Sequence, residues 1–159
     1  MDSYALLIAA SLNAGTVLAI AALGLLINEK AGIVNLGAEG MMLCAAIAGF
    51  ATVAHTGNFW FGFLAGMAAG AILAAIFGGL VIWLNTNQYA TGLALSLFGT
   101  GFSAFAGIQY VQVKLPEQTQ YAIPFLGDIP FLGMALFRQH PMVYIGIALM
   151  FGLIWFLYR

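Results

Sequence analysis

The feature that most constrains the fold is a series of apolar runs, each close to the length that a helix needs to cross a membrane. They occupy residues 4–27, 36–54, 59–84, 89–110 and 142–158. A helix rises about 1.5 Å per residue, so about 20 apolar residues cross about 30 Å of hydrocarbon. The runs should be helices, because a helix satisfies its backbone polar groups internally and the alternating pattern of a barrel strand is absent. We therefore expect an all-α, polytopic membrane helix bundle with about five transmembrane helices.

The composition agrees with a membrane location. Of the 159 residues, 64% are hydrophobic and 6% are charged, whereas an ordinary soluble domain has roughly 25% charged residues. The net charge is -1 and the chain has no basic cluster, which argues against nucleic-acid binding and against electrostatic attachment to a membrane surface. Cys44 is the single cysteine, so no disulfide forms within the chain. The first apolar run lacks a positive leading segment and is longer than a signal-peptide core, so we expect it to remain a span.

Residues 111–140 form the one long connection, and together with Pro141 they contain all four prolines. We expect this connection to be a loop outside the hydrocarbon that lies against the membrane interface or caps the bundle as short turns. The few charged residues barely constrain the orientation of the chain.

Small residues recur along the third and fourth runs. The third run has a four-residue spacing, which predicts a face for close helix packing, made of Gly62, Gly66, Gly70, Ala74 and Gly78. The fourth run adds hydroxyl groups to a similar pattern, with Gly92, Ser96, Thr100, Ser103 and Gly107. Helix packing explains both patterns, and a role in lining a translocation path is the alternative for Ser96, Thr100 and Ser103.

A polar motif, INEKAGIVNLGAEGMML at residues 27–43, separates the first two runs. Residues 28–32 should break the first helix, and Asn35 should cap the second. Asn35 and Glu39 would then share one helix face, with Gly37 and Gly40 keeping the backbone accessible. A glutamate near the bilayer centre costs about 2.5–3.5 kcal/mol. Glu39 should therefore lie near an interface, face protein, or hold a partner, for which Lys30 and the positive end of the second helix are the nearest candidates. Whether it only neutralises that helix end or also serves transport stays open.

The motif NEKAGIVNLGAEGMMLCAAIAGF at residues 28–50 resembles the signature near the start of permease subunits of bacterial ABC importers for nucleosides and simple sugars. The segment NQYATGLALSLFGTGFSAF at residues 87–105 is similar to the span after the family's short turn. IPFLGDIPFLGMALFRQHPMVY at residues 123–144 resembles its external loop and following helix. The resemblance covers nearly the whole chain. Because members of this group are about twice as long, residues 1–159 look like the N-terminal half of such a permease.

The resemblance implies a multi-pass protein of the bacterial inner membrane that works with other proteins. These are an ATP-binding ABC subunit, a second permease subunit and an extracytoplasmic substrate-binding lipoprotein. A permease performs no covalent chemistry, and we expect no cofactor and no metal site. In agreement, the sequence has no phosphate-binding P-loop, no zinc-protease motif and no glycine-flanked nucleophilic serine.

Two other classes stay open at this point. One is a small self-associating channel or secondary transporter built from five spans, and the other is a structural assembly subunit. A coupling-helix sequence after Arg159 in the source gene would favour the importer permease, and a stop codon there would favour the other two classes. Within the importer class, nucleosides come before sugars as expected substrates, and branched-chain amino acids are more distant.

Overall fold

The computed structural model describes residues 2–115 and 141–159, which are helices joined by short connections. The helices are α1 (Asp2–Lys30), α2 (Ala38–Thr56), α3 (Phe59–Gly78), α4 (Gln88–Gly107) and α5 (Pro141–Tyr158). A π-helical turn, Gly79–Trp83, continues α3, and a 3-10 turn, Ile108–Tyr110, continues α4. These residues contain no strand. Most of the predicted external loop, residues 116–140, lies outside the described residues.

Four helical stretches are long and apolar enough to cross a bilayer: Leu6–Lys30, Ala38–Thr56, Phe59–Trp83 and Gln88–Tyr110. The apolar part of α5, Val143–Tyr158, is shorter. Many large apolar side chains on these helices are exposed within the chain, as expected where lipid or other protein, and not water, surrounds them. The prediction of an all-α membrane helix bundle is confirmed.

Short polar residues and glycines set the helix ends. The side chains of Asn58 and Asn87 cap α3 and α4, with Oδ1 of Asn58 accepting the Trp60 N–H at 2.9 Å. Gly57, at φ 67°, ends α2 in the left-handed region that glycine tolerates. The sequence predicted that α1 ends at residue 27, and this was wrong by about one turn. The helix runs through Lys30 because the polar residues continue its hydrogen bonding until Gly32, at φ 82°, reverses the chain.

The chain divides into two compact units, residues 28–116 and residues 1–27 with 117–159. In the first unit α2 lies between α3 and α4. It runs antiparallel to α3, because the start of α3 at Gly62 contacts Gly49 and Val53 near the end of α2. It runs parallel to α4, because Gly40 contacts Ser96 and, further along both helices, His55 contacts Tyr110. The connections at residues 31–37 and 84–87 therefore lie at the same end of this unit.

The second unit contains most of α1 and all of α5. Gly146 of α5 lies against Thr16 and Ile20 of α1, where a Cβ on the glycine would be 3.0 Å from Ile20 Cδ1. The hydroxyl groups of Ser11 and Thr16 donate to carbonyl oxygens one turn earlier in α1, at 2.8 and 2.7 Å. Because these polar side chains bond to their own helix, they need no polar partner on another helix.

Candidate functional site

The connection between α1 and α2, residues 31–37, lies along the first turns of α4. Its first part is a glycine-ended helix terminus, in which the N–H groups of Gly32 and Ile33 donate to the carbonyls of Glu29 and Asn28, both at 2.9 Å. Its second part is held by two amide side chains, one from the connection itself and one from the first residue of α4. The Val34 N–H donates to Oε1 of Gln88 at 3.0 Å, and the Gly37 N–H donates to Oδ1 of Asn35 at 2.9 Å. Two N–H groups of this irregular backbone thus have side-chain acceptors within the chain.

The prediction that Asn35 caps α2 was wrong. The N-cap is Gly37, which makes no side-chain cap hydrogen bond. The helix starts later than expected because Asn35 bonds to the N–H two residues on, which closes a local turn before the first helical residue. Asn35 is 9% exposed and is the buried polar residue of the described chain. Its Nδ2 donates to Met41 Sδ at 3.7 Å, a weak acceptor.

Glycines bring the backbones of α2 and α4 into direct contact. A Cβ on Gly40 would lie 2.5 Å from the Leu95 carbonyl oxygen and 2.6 Å from Ser96 Cα. A Cβ on Gly99 would lie 2.5 Å from the Gly40 carbonyl carbon. At the entrance to α2, a Cβ on Gly92 would be 2.8 Å from the Leu36 nitrogen. No larger residue fits these positions, so this small-residue crossing fixes the distance between the two helices.

Glu39 lies in the first turn of α2 and is exposed within the chain. The prediction that it shares a helix face with Asn35 was wrong, because Asn35 precedes the helix and is buried. The described residues provide no ion pair between Glu39 and Lys30. The carboxylate instead lies near the positive end of α2, where a negative charge is favourable.

The three hydroxyl residues of α4 that were predicted as candidates occupy different environments. Ser96 lies at the crossing with Gly40, Ser103 is half-buried, and Thr100 is exposed. The Thr100 hydroxyl donates to the Ser96 carbonyl at 2.9 Å. Its oxygen keeps the capacity to accept a hydrogen bond on the open face of the helix.

The predicted packing stripe of α3 contacts α2 along only part of its length. A Cβ on Gly62 would be 2.9 Å from the Gly49 oxygen, and one on Gly66 would be 3.1 Å from the Ala45 oxygen. For Gly70 the nearest atom is Ala45 Cβ at 3.9 Å, and Gly78 meets only Ile82 of its own helical stretch. A four-residue step exceeds one turn by about 40°, so the stripe rotates away from α2. Leu73 and Phe77 fill the contact there, packed with Met41 and Cys44.

Two residues of this region were missed at the sequence level. Gly99 was left out because the four-residue pattern went from Ser96 to Thr100, although a three-residue step places Gly99 on the same face as Gly92 and Ser96. Gln88 lies between the third and fourth predicted runs and was not singled out. In the structure Asn87 already caps α4, with its Oδ1 accepting from the N–H groups of Tyr89 and Ala90 at 3.0 Å, so the Gln88 amide can serve another element.

The described residues contain no group of three or more His, Cys, Asp and Glu side chains that could hold a metal ion. The site is a rigid contact of two parallel helices with a buried amide at one end and a hydroxyl-bearing face on α4. Such an arrangement can position a pathway or bind a polar solute. The fold and this site together are those of a multi-pass membrane protein built from packed helices.

Comparison with known proteins identifies the family. Residues 7–159 match the family described as branched-chain amino acid transport system / permease component. The chain therefore belongs to this family of permeases. It is 43% identical, over its full length, to the putative glucose ABC transporter permease protein TsgC13 of Haloferax volcanii, of which it covers 50%.

Two further relatives are named for nucleosides. The chain is 31% identical to the guanosine ABC transporter permease protein NupQ of Bacillus subtilis, over 84% of this chain and 46% of the relative. It is 26% identical to the nucleoside ABC transporter permease protein NupC of Lactococcus lactis subsp. cremoris, over 87% of this chain and 47% of the relative. The chain thus spans about half the length of these relatives. No solved structure matches it significantly.

The close crossing of α2 and α4 predicts that a larger residue at Gly99 destabilises the protein, whereas the same change at a glycine outside the crossing does not. In Gly99→Ala the new methyl group would meet backbone atoms of Gly40, which cannot move aside as a side chain can, so we expect the free energy of unfolding to fall by about 1–3 kcal/mol. Gly101→Ala is the matched control, since a Cβ there meets nothing within 4 Å and alanine favours a helix by up to about 1 kcal/mol. SDS titration of both variants in detergent measures the difference. Equal stability of the two variants would contradict the backbone contact.

Proposed function

We propose that the protein containing this chain is the transmembrane permease subunit of an ABC importer for a simple sugar or a nucleoside. The observation that carries the proposal is the family match over residues 7–159, together with 43% identity to a permease named for glucose. Relatives named for guanosine and nucleosides support the second substrate class. The chain would form the N-terminal half of such a permease, in the cell membrane.

Three kinds of protein partner follow from the proposal. An ATP-binding ABC subunit supplies energy, a second permease subunit completes the path, and an extracytoplasmic binding lipoprotein delivers the substrate. Membrane lipid surrounds the remaining apolar faces. The permease itself binds and releases the substrate without covalent chemistry, so its polar groups act as hydrogen-bond partners.

The contact of α2 and α4 would be the scaffold of the path. Backbone-to-backbone packing at Gly40 and Gly99 resists deformation, because a shift of either helix produces clashes with main-chain atoms. Rigid helix pairs of this kind can transmit a displacement from one end to the other. The candidate path residues lie in two places. One is the hydroxyl-bearing side of α4, with Ser96, Thr100 and Ser103, and the other is the motif, with Asn35, Gly37, Glu39 and Gly40. Sugars and nucleosides carry hydroxyl groups that such side chains can bind.

Uptake measurements test the proposed function. The whole gene product is reconstituted in liposomes with its cognate ATP-binding subunit, second permease subunit and binding protein, and uptake of radiolabelled glucose and guanosine is followed with and without ATP. We expect ATP-dependent uptake of one of these two substrates. Uptake of either substrate without ATP would favour a secondary transporter, and the absence of both activities would contradict the proposal.

The open face of α4 can be tested with the same assay. Thr100→Val removes a hydroxyl from this face while it keeps the side-chain shape, and we expect uptake to fall about 3- to 10-fold through loss of one hydrogen bond to the substrate. Thr52→Val in α2 is the matched control, because the Thr52 hydroxyl likewise donates to the carbonyl one turn earlier, at 2.9 Å. Equal uptake by the two variants would remove Thr100 from the path.

A further inference from the structure

Gln88 joins two parts of the chain that are 54 residues apart. It is the first residue of α4, and its Oε1 accepts the N–H of Val34 at 3.0 Å in a partly buried position. Capping of α4 does not need this side chain, because the Oδ1 atom of Asn87 accepts the first free N–H groups of that helix. The Gln88 amide is therefore committed to the connection between α1 and α2.

The bond acts directly beside the buried amide of the motif. Val34 precedes Asn35, whose Oδ1 accepts the Gly37 N–H at the entrance to α2. Gln88 thus fixes the backbone just before Asn35, and Asn35 fixes the backbone just after itself. The Gln88–Val34 bond therefore sets the position of the backbone at Asn35, and with it the position of the Asn35 side chain.

The Asn35 amide has hydrogen-bonding capacity to spare. Its Nδ2 group carries two hydrogens, and within the described residues its partner is the sulfur of Met41 at 3.7 Å, a weak acceptor for a buried donor. A hydrogen bond from Nδ2 to a stronger acceptor, such as a carbonyl or hydroxyl oxygen, would be more favourable than its bond to the Met41 sulfur. The value of this donor to transport depends on its being held in place.

We infer that Gln88 is a positioning residue for transport, which acts through Val34 to hold the Asn35 amide at the start of α2. The inference rests on the proposed function, and it adds a residue outside the signature motif. Without an acceptor at position 88, the Val34 N–H would be left unpaired in a partly buried place, and the connection would move away from α4 to satisfy it. The α2–α4 crossing at Gly40 and Gly99 would stay intact, because it does not involve Gln88.

Two substitutions separate the hydrogen bond from the bulk of the side chain. Gln88→Met keeps the length but removes the amide oxygen, whereas Gln88→Glu keeps an acceptor oxygen at the same reach. In the reconstituted transporter, we expect Gln88→Met to lower the maximal uptake rate about 3- to 10-fold per assembled transporter, and Gln88→Glu to restore it to within about 2-fold of the wild type. Equal losses in both variants, or no loss in Gln88→Met, would overturn the inference.

A double-variant comparison tests whether Gln88 acts through Asn35. If it does, Gln88→Met should add little to the loss of uptake already caused by Asn35→Ala, because the effects of substitutions within one hydrogen-bonded network are not additive. Losses that multiply in the double variant would show that Gln88 acts by another route, and would overturn the inference.

Hydrogen exchange supplies a readout that does not depend on transport. For the purified protein in detergent, we expect the peptide that contains residues 33–37 to exchange about 3- to 10-fold faster in Gln88→Met than in the wild type, and at the wild-type rate in Gln88→Glu. If the wild type transports neither substrate, the proposed function fails. Unchanged exchange in Gln88→Met overturns the positioning role whether or not transport is observed.

Discussion

The need to give backbone polar groups hydrogen-bond partners shapes this structure most strongly where a helix ends. A continuous helix meets that need within itself, but the break between α1 and α2 does not. Here a left-handed glycine closes the end of α1, and two amide side chains serve the residues that follow: the Val34 N–H bonds to Gln88 and the Gly37 N–H bonds to Asn35. The chain can therefore leave one helix and enter the next while lying on α4. One of these two amides, Asn35, belongs to the polar motif, which looks misplaced in so apolar a sequence.

The direct contact of two parallel helices follows from the same break. Because the connection lies on the first turns of α4, α2 starts beside that helix and runs along it. Gly40 and Gly99 allow the backbones to touch, and the pair stays in register as far as His55 and Tyr110, whose side-chain atoms are 3.1 Å apart. The helix α3 returns the chain antiparallel to both. Its first half packs through glycines, and its second half packs through Leu73 and Phe77.

Much of this arrangement could be predicted from the sequence, because it depends on local chemistry. Length and apolarity predicted the membrane helices, and the predicted starts of the third and fourth runs, at residues 59 and 89, lie within one residue of the observed starts of α3 and α4. The motif of residues 28–50 led to the family that the comparison confirmed. These features need only a few neighbouring residues to be read.

The errors arose where a residue's partner is distant in sequence. Asn35 looked like a helix cap, but its short side chain closes a turn one step earlier. The stripe on α3 looked continuous, but a four-residue spacing drifts around a helix of 3.6 residues per turn. The roles of Gly99 and Gln88 depend on tertiary contacts with α2 and with the connection before it. The periodicity of the sequence does not reveal such contacts.

The parallel register of α2 and α4 is the central claim, and cross-linking in the membrane tests it most directly. In a Cys44→Ala background, His55→Cys combined with Tyr110→Cys should be joined by a short bifunctional maleimide. His55→Cys combined with Tyr89→Cys should not be joined, because residue 89 lies at the start of α4 and residue 110 lies in the turn that follows its end, about 30 Å away at about 1.5 Å per residue. Efficient cross-linking of the second pair, with none of the first, would show that the two helices run antiparallel and would contradict the account.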